Sequence, residues 1–220
     1  MQHRFFQKSE KEQKLFLLNV GLTIFLLTAA ILFISYFSGF YLLAGLIPIL
    51  FLIAAPFIDL PMGKKKGTFI YHSPLFITEK PRDNKITIHG GTLFDYLFTI
   101  EKDMDAKTRT RIVFLSYING LLNFISKYEY EDHEDLILRG TSYIVNDRTA
   151  KLFGFRPVST DAGQLLILFF NYIPLTISNT FVKKRLTFPR FSEVNTYEAK
   201  LSEVIKQKAK LQQLKARLEK

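Results

Sequence analysis

The chain has 220 residues and no cysteine, which leaves room for one domain beside a membrane anchor and excludes disulfides, cysteine zinc sites, iron–sulfur centres and cysteine nucleophiles. Its net charge of +10 is uneven: +2 over residues 1–14, +2 over 59–67, −1 over 68–182 and +7 over 183–220. Basic charge that flanks apolar sequence around a neutral middle fits anionic lipid headgroups, and it argues against a nucleic-acid partner.

Residues 1–14 form a basic N-terminus. Leu15 to Phe37 follows, with 23 residues and no charge. As a helix it would run roughly 35 Å, enough to cross a bilayer core of about 30 Å. Phe40 to Asp59 is charge-free until its last residue, and only Ser38 and Gly39 separate the two runs. Residues 15–60 are therefore expected to form a transmembrane helical hairpin. Tyr36, Phe37, Phe40 and Tyr41 would sit at its lipid–water turn, with Pro48 and Pro56 kinking the second helix. Arg4, Lys8, Lys11 and Lys14 precede the first run and Lys64, Lys65 and Lys66 follow the second, while the turn carries no charge. The positive-inside rule then predicts a two-pass protein of the inner (plasma) membrane with both termini cytoplasmic.

After a basic linker at 61–67, a cytoplasmic α+β domain is expected over 68–190. Thr68–Thr78 and Lys85–Ile100 are strand-like, with residues 79–84 as a hairpin loop and Gly90-Gly91 as a bulge or a break between two strands. Ile112, Leu115, Ile118, Leu122 and Ile125 recur at helical spacing, which predicts an amphipathic helix from Ala106 to Tyr128. An acidic loop, Glu129 to Asp135, leads to a strand at 136–145. Asn146-Asp147 caps a short helix that Gly154 stops, and Phe155–Val158 resumes as a strand. Leu165 to Val182 is uncharged but contains Asn171, Pro174, Ser178 and Asn179. It is expected to be a buried helix or one docked on the membrane face, because a third crossing would put the +7 tail outside. Ser192 or Asn195 should open a last, basic amphipathic helix in 191–220, with Tyr197, Leu201, Val204, Leu211 and Leu218 on one face. Such a helix suits either the membrane surface or packing on the domain.

No catalytic or metal-binding constellation follows from the residue pattern. Asp95, Glu101, Asp103 and Asp105 lack the order of a calcium loop and are expected in a solvated turn. His3 is expected at an exposed terminus, and no two histidines have metal-ligand spacing on a helix. His89-Gly90-Gly91 resembles the oxyanion turn of some esterases, and His72, Ser73 and Asp95 supply triad residue types, but no G-x-S-x-G elbow accompanies them.

One motif points further. Asn146, Ala150, Phe153, Gly154 and Phe155 form N-x-x-x-A-x-x-F-G-F directly after the strand at 136–145. This resembles the late helix of acetyltransferases of the GNAT superfamily, where N-x-x-A, an aromatic residue and G-F often close the acetyl-coenzyme A site. The resemblance spans residues 136–156 and implies Asn146, Gly154 and Phe155 as cofactor-binding candidates. The spacing is one residue longer after Asn146, and the family's pyrophosphate-binding Gly-rich turn is missing, so no cofactor follows from the sequence.

The expected protein is thus a membrane-held α+β domain that binds, senses or scaffolds rather than catalyses. Lys64, Lys65, Lys66, Lys206, Lys208, Lys210 and Lys215 would contact lipid headgroups or an acidic partner. One alternative is a membrane-tethered acyl- or acetyltransferase. Another is a hairpin that associates through Gly21, Ala29, Ala30, Gly45, Ala54 and Ala55, with itself or with another membrane protein, into a pore or effector.

Overall fold

The protein is described by a computed structural model covering residues 2–130 and 136–219, with the side chain of Phe191 excluded. Helix α1 (Glu10–Ser38) opens on a capping box: Ser9 Oγ accepts the Glu12 N–H and the Glu12 carboxylate accepts the Ser9 N–H. It ends at Gly39, whose φ of +69° turns the chain back. A 3-10 turn (Tyr41–Gly45) leads into α2 (Leu46–Lys65), which contains Pro56 and Pro61, while Pro48 falls in its first turn, where a missing N–H costs least. Two segments, Glu10–Ser38 and Tyr41–Lys65, are long and apolar enough to cross a membrane.

A six-stranded sheet of order β1-β2-β3-β4-β6-β5 carries the rest of the chain. Strands β1 (Phe69–Ser73), β2 (Phe76–Glu79) and β3 (Lys85–Gly90) form an antiparallel meander. The chain then passes through α3 (Leu93–Thr99) and α4 (Ala106–Tyr128) to β4 (Ile137–Ser142), which lies parallel to β3. Helix α5 (Asp147–Leu152) and β5 (Arg156–Val158) follow, then α6 (Ala162–Phe170) and α7 (Tyr172–Lys183). Strand β6 (Asn195–Lys200) inserts antiparallel between β4 and β5, and α8 (Leu201–Ile205) and α9 (Lys208–Leu218) close the fold.

The main core lies between the sheet and α4, α8 and α9. It buries Phe76, Ile86, Leu138 and Ala199 from the strands against Ile118, Leu121, Phe124 and Ile125 of α4, and Val204 and Leu211 of the C-terminal helices. Gly120 lets α4 approach closely, since a Cβ there would fall 2.2 Å from Phe76 Cβ. A second, aromatic core joins hairpin to domain: Phe5, Leu60 and Phe94 are buried, with Phe16, Phe57, Phe69 and Phe98 around them. Tyr71 and His72 are consecutive on β1 and point to opposite faces of the sheet. Tyr71 meets Asp95 beside the hairpin end, and His72 meets Phe124 under α4.

Several expectations are corrected. Thr68–Thr78 is two strands, because the turn at Pro74-Leu75 interrupts it. Gly90-Gly91 separates a strand from a helix, not two strands: Asp95 accepts the Thr92 N–H (2.8 Å) and starts α3. Residues 195–200 are a strand, not the start of a helix, and the last helical stretch is the broken pair α8 and α9. Leu165–Val182 is not one straight helix; α6 and α7 meet at 64°. Pro174 lacks the N–H that would continue the ladder to the Phe170 carbonyl, while α6 ends with the Ile167 carbonyl accepting both the backbone N–H (3.0 Å) and Nδ2 (2.8 Å) of Asn171. His3 is buried rather than exposed, and Asp95 is fully buried rather than solvated. The acidic residues 131–135 lie outside the described residues, but Glu129 pairs with Lys208 of the tail.

Candidate functional site

The centre of the sheet is where the backbone ladder stops. β3 and β4 pair from Lys85/Ile137 to Ile88/Gly140. Beyond that point β3 continues to Gly90 in register with β2, and β4 continues to Ser142 in register with β6. The two parallel strands therefore part, and a cleft of about 420 Å³ opens over the gap. Its floor is Ile88, Gly90 and Gly140 to Ser142; one wall is the α4 face Val113, Phe114, Tyr117, Ile118 and Leu121; the other is Thr149, Ala150, Leu152 and Phe153 of the α5 region, with Phe155. Leu211, Leu214 and Leu218 of α9 close the far end.

Two glycines make the floor. A Cβ on Gly90 would fall 2.1 Å from Tyr117 Oη, and one on Gly140 would fall 3.3 Å from Ile88 Cβ. Two phenols supply polarity. Burial pushes Tyr117 up to about 12. Tyr197 is also held up at about 12, first by burial and then by the Asp147 carboxylate, and its hydroxyl meets Val145 O and Asp147 Oδ1, each at 3.0 Å. Both stay neutral near pH 7. Ser142 Oγ is committed to the Ile144 and Val145 N–H groups (3.1 Å each). A mainly aliphatic and aromatic slot, whose lining carries no ionised side chain, suits an apolar chain with at most a small polar head.

The N-x-x-x-A-x-x-F-G-F segment divides between cleft and scaffold. Ala150, Phe153 and Phe155 line the cleft. Asn146 Oδ1 caps α5 by accepting the Thr149 N–H (2.9 Å). Gly154 faces away: its φ is +84°, and a Cβ there would fall 2.8 Å from the Glu203 carbonyl of α8. The loop after β3 offers no phosphate cradle, because Asp95 already takes the Thr92 N–H and Asp105 takes the Thr108 N–H (2.6 Å).

The triad residue types are not brought together. Asp95 is held by His3 (3.2 Å) and Tyr71 (2.9 Å), His72 by Thr78 (2.9 Å), and Ser73 by the Ser116 carbonyl (2.7 Å). His89 pairs with Glu79 at 2.7 Å. His72, Ser73, Ser116, Asn119, Asn123 and Lys215 do border a smaller polar hollow of about 290 Å³. Among the described residues no group of three or more His, Asp or Glu is placed to hold a metal. The lysines also separate into two sets. Lys64 lies over the Phe6 ring (3.5 Å) with Lys65 and Lys66 exposed at the hairpin end, whereas Lys206, Lys208, Lys210 and Lys215 belong to the helices on the α4 side of the sheet.

Sequence reasoning missed the α4 half of the cleft, since a stripe of apolar residues reads as core whether or not a neighbour fills it. Gly140 inside a strand was the available signal, as glycine there marks close backbone approach. Comparison with protein-family models, curated proteins and solved structures finds no match, so the function has to be read from this geometry.

Proposed function

We propose that the protein is a two-pass inner-membrane protein whose cytoplasmic α+β domain binds an acyl chain in the cleft between β3 and β4. The parting of the two central strands over an apolar cavity carries this reading. The domain's position at the bilayer is supported by its N-terminus. Arg4 donates to the Leu97 carbonyl (2.7 Å) and Phe5 is buried against Phe94, so the chain before α1 and the chain after α2 meet in one aromatic core. A hairpin that leaves and returns to the same side satisfies that contact, and the Lys/Arg flanks support the cytoplasm as that side.

The test is a binding series of acyl-coenzyme A thioesters and free fatty acids, from two to sixteen carbons, on protein in nanodiscs. Each added methylene should tighten binding about fourfold until the cleft is full, from roughly 0.8 kcal/mol per buried CH₂. Ala150→Trp, which fills the slot between α5 and α4, should abolish that gain. Affinity independent of chain length, or unchanged in Ala150→Trp, would sink the reading.

A membrane-tethered acyltransferase is the second reading, favoured by Ala150, Phe153 and Phe155 of the Asn146–Phe155 segment lining the same cleft. It requires the thioester to bind better than the free acid of equal length. With both helix starts after β3 already capped by carboxylates, simple acyl-chain binding expects the two to be equal.

A further inference from the structure

The exposed apolar surface does not end with the hairpin. Helix α6 has no buried residue, and Leu166, Ile167, Phe169 and Phe170 are each at least half exposed. Leu186 and Phe188, just beyond α7, are exposed as well. A water-soluble surface does not tolerate consecutive large side chains of this kind without a partner.

Helix α7 ties this surface to the hairpin. One of its faces, Pro174, Ser178 and Val182, is buried, and Tyr143 Oη donates to Asn179 Oδ1 (3.2 Å). Arg109 reaches the Phe181 carbonyl from α4. Helix α7 also packs on α2, which belongs to the segment Tyr41–Lys65 that is long and apolar enough to cross a membrane. Packing of α6 on α7 and of α7 on α2 thus places this exposed apolar surface beside a segment apolar enough to cross a membrane. Lys183, Lys184 and Arg185 follow at once, where anionic headgroups would meet them.

The sheet decides how the element can enter the bilayer. The chain leaves for α6 from β5 and returns from α7 to β6, and these strands are direct neighbours, Val158 facing Thr196 and Arg156 facing Glu198. Entry and exit must lie on one side. Nine residues of α6 and twelve of α7 run only about 13 and 18 Å, each well short of a core about 30 Å thick, and they meet at 64°.

We infer that α6 and α7 form a re-entrant element, seated in the acyl-chain region of the leaflet nearest the domain and returning to the side from which it came. The inference rests on the hairpin lying in the bilayer, and not on the cleft.

The chain has no tryptophan and no cysteine, so single introduced residues report without background. Phe169→Trp, with Ile167→Trp as a second site and Leu26→Trp in α1 as the hairpin control, is reconstituted in vesicles containing lipids brominated on their acyl chains. Single Thr160→Cys and Arg185→Cys variants are treated with a membrane-impermeant maleimide. The expected result is an about twofold loss of emission at 169 and 167 as well as at 26, little quenching by aqueous iodide, and labelling of 160 and 185 from the same side. Quenching at 169 by iodide, or protection from both quenchers by protein, would overturn the inference. So would labelling of 160 and 185 from opposite sides. If position 26 is quenched by bromolipid and 169 is not, the inference fails while the hairpin stands; if 26 also escapes, both fail.

Discussion

Helices α1 and α4 are both rich in apolar residues and use them in opposite ways. Over 29 residues α1 buries only Ile24 and Ser35, and Phe25 stays 68% exposed. Over 23 residues α4 buries ten, among them Phe124 at 0% exposure. Composition alone would call α1 the better core helix. The difference is the partner: α4 is amphipathic and meets a sheet, whereas α1 is apolar on every face and touches little besides α2 and the aromatic junction. An apolar side chain contributes to folding only where the chain itself removes it from water.

The strongest way to break that comparison is a matched truncation. Phe124→Ala should destabilise the domain by about 3–5 kcal/mol, because a fully buried ring leaves a cavity. Phe25→Ala should stay within about 0.5 kcal/mol in detergent, where the micelle covers either side chain. Denaturant unfolding of both variants, followed by tyrosine fluorescence, checks the pair. Equal losses would mean that α1 has a protein partner.

The α4 side can be probed by pH. Burial first, and then the Lys127 ammonium, hold the His72 imidazole down to about 4, well below its ordinary value. The unfolded chain therefore binds this proton more readily than the native one. Stability should fall as pH drops from about 6.5 to 4, by on the order of 3 kcal/mol from this group. In His72→Asn that share of the acid-side loss should vanish. An unchanged slope would show that His72 is not the group responsible.

The smallest effect is expected where helix packing depends on one turn. Gly154→Ala places a side chain at φ +84° and against the Glu203 carbonyl, and should cost about 1–3 kcal/mol. Gly21, which has open space around it in α1, should accept alanine without loss. A thermal scan of both variants separates strain from mere propensity.

What was readable from the residues in a line were features set over short distances. The hairpin follows from two charge-free runs, and bilayer crossing depends on length and charge, both of which are linear. Helix α4 begins at Ala106 and ends at Tyr128 as its periodicity predicts, since the Asp105 cap and the stripe are local. Asn146 caps its helix for the same reason. The linear pattern misread whatever depended on distant neighbours. Asn195–Lys200 has the periodicity of a basic helix, yet the vacant place between β4 and β5 makes it a strand. Asp95 looks solvated until His3, 92 residues earlier, folds onto it. The cleft exists only because β3 and β4 stop pairing after Gly140, and its two walls come from helices separated by a strand. Backbone pairing across the sheet is satisfied globally, so the place where it ends, and the cavity that opens there, belong to the tertiary structure.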